Sequence, residues 1–234
     1  MPTRSLTVTF DAHDPAVLGR FWGGLLGRDA VRGDRGVLLP GDDTQLSLRF
    51  APSRTVKSGP NRMHLHLTSS GDAGQHEIVA AALRLGAAHL DVGQLPGERH
   101  IVLADPEGNE FCVIESDNGW LAGCGPLGEI ACDGSRDVGL FYSRATGWPL
   151  VWDQDEETAI QLPRGGTKVA WGGPPVHAKP GRTRQRLDIS PADGDQRAEV
   201  DRLIALGATR LRDHPDGTVE LADPDGNDFR VAPD

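Results

Sequence analysis

The chain has 234 residues, with 34 acidic against 24 basic side chains and a formal net charge of −10. Such an excess of acid argues against nucleic acid or an anionic membrane as partner, because phosphate binding needs clustered Lys and Arg. No apolar run approaches the ~20 residues that span a bilayer, and Met1–Leu6 lacks the apolar core of a secretion signal. Three cysteines (Cys112, Cys124, Cys132), odd in number and without metal-type pairing, fit a reducing cytoplasm.

In chain order, Leu6–Phe10 alternates and is β-branched, which predicts a strand. Asp14-Pro15 then opens a helix: Asp caps it and Pro takes the first helical position. Val17, Leu18, Phe21, Trp22, Leu25 and Leu26 form one apolar stripe, and Gly27 ends it. Strands are expected at Gly36–Leu39 and Gln45–Phe50, followed by a Pro/Gly/Ser-rich connector from Ala51 to Asn61. Met63–Thr68 reads as a strand and Gln75–Leu85 as a helix. Ile101–Leu103 and Phe111–Ile114 flank the turn Asp105-Pro106-Glu107-Gly108-Asn109, whose composition predicts a hairpin.

Ser116–Leu127 joins this to a second series: strand Glu129–Cys132, helix Val138–Ala145, strands Leu150–Trp152 and Ala159–Leu162, and a connector Gly172–Thr183. Strand Gln185–Ile189, helix Asp195–Leu206 and a closing hairpin complete it. That hairpin carries Ala222-Asp223-Pro224-Asp225-Gly226-Asn227-Asp228-Phe229, which repeats Ala104–Phe111 at an offset of 118. Phe21-Trp22 returns as Phe141-Tyr142 at 120, and Leu85-Gly86-Ala87 as Leu206-Gly207-Ala208 at 121. A period this long means a duplicated domain and not a solenoid. The expected organisation is α+β, with four βαβββ modules forming two cupped mixed sheets. The first domain covers 1–117, the linker 118–127 and the second domain 128–234.

These landmarks, with His64-Leu65-x-Leu67 and Leu103–Cys112, resemble the vicinal oxygen chelate superfamily, which has the glyoxalase/bleomycin-resistance/dioxygenase fold. The resemblance implies a cleft in each sheet, and in active members a divalent metal held by His, Gln or Glu. Carried over residue by residue, the ligand positions fall on Thr7, Ser47–Arg49, His64 and Cys112 in the first half. In the second half they fall on Glu129, a residue near Ile160–Leu162, Arg186 and Arg230. Only His64 and Glu129 are of the expected type, and they lie in different halves. Arg186 and Arg230 would repel a cation. No metal and no cofactor is therefore expected; an unusual set of His64 with His66, His100, Cys112 or Glu115 is the alternative, although strand parity sets Glu115 apart from Cys112.

Assigning one cleft to each half gives a first pocket of Thr7, Thr9, Asp11, His64, His66, His100 and Cys112. Asp11, His64 and His66 are then candidate acid–base groups, since a carboxylate fixes an imidazole tautomer. The competing assignment makes Asp11 a turn or cap residue and the histidines ordinary strand positions. The second pocket would hold Glu129, Ala131, Asp133, Arg186, Asp188 and Arg230, either as a self-neutralised ion network or as an Arg fork for an acidic ligand. Trp120 and Trp171, placed in Gly-rich loops, are candidate ligand platforms. The function expected is binding of a small organic molecule without the usual metal site, as in drug-sequestering relatives. The alternative is a metal-free or atypically metallated isomerase, epimerase or lyase. Pairing of the modules within one chain or across a homodimer stays open.

Overall fold

A computed structural model describes residues 4–176, 183–191 and 194–233. The end of the predicted 172–183 connector, residues 177–182, and Met1–Thr3 of the predicted N-terminal segment lie outside these. Each of four modules runs strand, helix, three strands. The first is β1 (Leu6–Ala12), α1 (Pro15–Leu26), β2 (Val31–Gly33), β3 (Gly36–Leu39) and β4 (Ser47–Pro52). The second is β5 (Met63–Leu67), α2 (Gly71–Leu85), β6 (Ala88–His89), β7 (Ile101–Ala104) and β8 (Glu110–Val113). The third is β9 (Leu127–Cys132), α3 (Arg136–Thr146), β10 (Leu150–Gln154), β11 (Glu157–Gln161) and β12 (Lys168–Trp171). The fourth is β13 (Gln185–Ile189), α4 (Gln196–Ala205), β14 (Thr209–Asp213), β15 (Val219–Ala222) and β16 (Asp228–Val231). None of the helices described is long and apolar enough to cross a membrane.

The local signals act as expected. The Asp14 side chain accepts from the Ala16 and Val17 backbone N–H groups, and Gly27 leaves α1 at φ 67°, a conformation open to glycine at little cost. In the repeated turn, the Asp105 carboxylate accepts from Glu107 N, Asn109 N and Asn109 Nδ2. The indole N–H of Trp22 donates to it from α1 at 3.1 Å. Asp223 and Asn227 repeat the arrangement. The most recognisable stretch of the sequence is thus a structural clasp.

How the modules combine differs from a reading by halves. One eight-stranded sheet, here sheet A, runs β14-β15-β16-β13-β1-β4-β3-β2, and sheet B runs β10-β11-β12-β9-β5-β8-β7-β6. Sheet A therefore joins the first module to the fourth, and sheet B joins the second to the third. The seams are antiparallel pairs, β1 with β13 and β5 with β9. Modules of the same half meet through their cores instead. Phe21 and Trp22 pack on Phe111 with centroids 5.9 and 5.0 Å away, and Phe141 lies 5.8 Å from Phe229. The turns reach across as well, with Glu107 accepting from Asp14 N at 2.7 Å and Asp225 from Ser135 N at 2.6 Å. One apolar cluster runs through all four modules.

Candidate functional site

Because β5 pairs with β9, the residues assigned to two separate pockets are redistributed. Glu129 stands opposite His66, and Ala131 opposite His64. Cys112 is level with His66 on the other side. His64, His66, Cys112 and Glu129 therefore share sheet B. Thr7, Thr9, Asp11, Arg186, Asp188 and Arg230 share sheet A, since β1 registers Thr7 with Asp188 and Thr9 with Arg186. Asp11 cannot pair with the histidines: its carboxylate meets Arg186 Nη1 at 2.7 Å. The expectation that His64 and Glu129 occupy different clefts is overturned by this topology.

Sheet B holds a cavity of about 630 Å³, within the range of small-molecule sites. Its floor follows from side-chain size. Successive registers place His64, Ala131, Ala170, Ala159 and Trp152 in one row across five strands. Three alanines in the middle leave a hollow that larger residues would fill. The opposite face presents Leu65, Ile130, Val169 and Ile160 to the core, the alternation a half-buried strand demands.

At one end stand Trp120 and Trp152, edge to face with centroids 5.7 Å apart. Trp120 comes from a 3-10 turn at Gly119–Leu121 in the joining segment, held by Asn118 accepting from Leu121 N. Lys168 lies 3.6 Å from its ring centroid and donates to its carbonyl. Trp171 is no loop residue. It belongs to β12, a strand absent from the sequence reading, and its ring stacks on Tyr142 at 5.2 Å. It borders the cavity while serving the core. Trp152 and Lys168 are site residues the sequence reading missed; alternation along β10 and β12 was their only signal.

The polar groups form a connected chain. Trp120 Nε1 donates to Glu129 Oε1 at 2.6 Å, and Glu129 Oε2 lies 2.8 Å from His66 Nδ1. His66 Nε2 lies 2.9 Å from His64 Nε2, and His64 lines the cavity. Burial would raise the Glu129 carboxyl, but the His66 hydrogen bond and charge and the Trp120 bond hold it below the usual range. The Glu129 carboxylate thus orients the His66 ring through Nδ1 and turns Nε2 toward His64. Burial, reinforced by His66, pushes His64 down to about 4, so it is neutral at physiological pH. His100 is close enough to add to that depression. Cys112, level with His66, is pushed up to about 12 by burial and by Glu129.

The metal implied by the fold can be tested against these donors. Nitrogen atoms of His64 and His66 and the Cys112 sulfur lie within 4.8 Å of one another. Glu129 binds the far nitrogen of His66, the outer-shell arrangement that orients metal-bound imidazoles. Two imidazoles and a thiol fit a borderline-soft cation such as zinc, with one position open. They do not make the oxygen-rich set of a magnesium site. Sheet A offers the reverse: the Arg186 and Arg230 side chains are held by Asp11, Asp188 and Glu220.

Comparison with known proteins bears on the fold. The family model described as "Glyoxalase-like domain" matches residues 7–114 and again 129–232. No curated protein matches the chain in sequence. Glyoxalase I from Zea mays superposes with a TM-score of 0.66 at 16% identity, covering 98% of this chain and 92% of that one. A putative dioxygenase from Bacillus subtilis subsp. subtilis str. 168 gives 0.60 at 14% identity, covering 98% and 85%. Identities this low carry the fold and leave the chemistry to the residues. With the model matched over both halves, the chain belongs to the glyoxalase-like domain family of the vicinal oxygen chelate superfamily and carries two such domains in tandem.

Proposed function

We propose that the cleft of sheet B binds a small planar organic molecule. The observation that carries this reading is the alanine row between His64 and Trp152. It leaves a slot walled by indoles at one end and bearing an imidazole at the other. Indole faces favour flat, apolar rings, and His64 supplies one hydrogen bond to orient a polar substituent. Titration with a panel of planar aromatic compounds, followed by Trp fluorescence, tests it. Saturable quenching is expected, weakened at least tenfold by Ala170→Leu, which fills the slot and removes no polar group. A panel that leaves fluorescence unchanged, or an Ala170→Leu protein that binds equally well, would sink the reading.

The chain Glu129–His66–His64 supports a second reading, an isomerase, epimerase or lyase. A neutral His64, oriented by His66, offers a ring nitrogen as a weak base, and Glu129 offsets the charge that a transferred proton would bring. A cation held by His64, His66 and Cys112 would act as a Lewis acid toward a ligand oxygen. Deuterium exchange into a bound carbonyl compound, lost in His64→Gln, separates catalysis from binding alone.

A further inference from the structure

Sheet A carries a second cleft of about 600 Å³, and its side chains are of another kind. Arg35, Arg49, Arg186 and Arg230 line it with Asp34, Asp188 and Asp216. Most of these charges are accounted for. Arg186 is held by Asp11 and Asp188, Arg230 lies 3.2 Å from Glu220, and Asp216 caps the Thr218 N–H. Arg49 is different. It projects from β4 in register with Thr9 and is half-buried. Among the described residues its guanidinium has no hydrogen-bond or ion-pair partner. Its charged neighbours include Arg35 and Arg186, which oppose its charge, and only Asp188 favours it. A half-buried guanidinium beside two others, without a carboxylate of its own, is an arrangement that folding alone does not favour.

A second observation points the same way. Thr9 is fully buried and its hydroxyl has no hydrogen-bond partner among the described residues. It shares a face with Thr7 and Asp11 and sits in the row Arg49–Thr9–Arg186. Buried hydroxyls are normally satisfied; this one, on the strand between those that carry Arg49 and Arg186, is not. We propose that the sheet A cleft is a binding site for a small organic anion, whose carboxylate or phosphate is held by the Arg49 fork with Arg35 beside it and the Thr9 hydroxyl beneath. Planar guanidinium groups match either oxyanion through paired N–H donors. The site is separate from the sheet B cavity and does not depend on what binds there.

The test is calorimetric titration of the full chain with inorganic phosphate and, separately, with succinate, at constant ionic strength held by chloride. One saturable site per chain is expected for at least one of them, and the stronger binder tells phosphate from carboxylate recognition. Arg49→Met should weaken it at least tenfold and Thr9→Val by a smaller factor, while Ala170→Leu in the other cleft leaves it unchanged. Since the Arg49 guanidinium and the Thr9 hydroxyl have no partner to lose among the described residues, both variants should fold with unaltered thermal midpoints in the absence of anion. Phosphate and succinate heats no larger than those of chloride, or full affinity in Arg49→Met, would overturn the proposal.

Discussion

His66 Nδ1 stands 2.8 Å from Glu129 Oε2, across a strand pair that joins residues 63 positions apart. That contact bridges the two sequence halves and gives the cleft of sheet B its polar end.

One consequence concerns pH. In chelator-treated protein, His64 is pushed down to about 4 from an ordinary 6.5, chiefly by burial. The unfolded chain therefore takes up a proton at this residue before the folded one does. Stability from this source is fully present above pH 6.5 and is lost as pH falls toward 4, by up to about 3 kcal/mol. Urea unfolding at several pH values should show that decline, and His64→Gln should flatten it. A decline of equal size in the variant would mean that other groups carry it.

Zinc uptake provides a second check. A zinc titration against a chromophoric chelator is expected to find one tight equivalent per chain. Cys112→Ser should weaken it at least tenfold, and Glu129→Gln, which removes the outer-shell carboxylate, by about 10–100-fold. Because the Cys112 thiol is pushed up to about 12, binding must displace its proton and will weaken as pH falls. Zinc affinity unaffected by either substitution would place the ion elsewhere.

The sheet A seam makes a third. Arg186 and Asp11 are 7% and 4% exposed and 2.7 Å apart. Arg186→Leu strands a buried carboxylate and should cost about 3–5 kcal/mol in urea unfolding. Adding Asp11→Leu removes the stranded charge and should recover most of the loss. A single variant within about 1 kcal/mol of the parent would show that Ser53, which donates to Asp11 at 3.2 Å, and solvent suffice to hold this carboxylate.

Much of the architecture was legible because its signals are local. The Asp14-Pro15 cap, the glycine at 27 and the doubled Asp-Pro-x-Gly-Asn turn act over a few residues, and the structure places them where the pattern does. Four strands carry no such signal. Val31–Gly33 and Ala88–His89 are too short to alternate, Thr209–Asp213 is exposed along its whole length, and Lys168–Trp171 abuts two glycines. Helix α2 begins at Gly71, four residues before its apolar periodicity. The pairing of modules left no local trace at all. Repeat offsets and alternation identify β1, β5, β9 and β13 as equivalent first strands, but nothing in them selects the β5–β9 seam. That one choice decided whether His64 and Glu129 could meet, and it took Asp11 away from both.

The seams also explain how one polypeptide came to hold such different hollows. If residues 4–117 associated with an identical copy in the same manner, two-fold symmetry would make both clefts the same, and every substitution would appear in each. Joining the copies end to end removes that constraint. One sheet is then free to gather histidines, a glutamate and indoles while the other gathers arginines, so a single molecule carries two chemically unlike hollows.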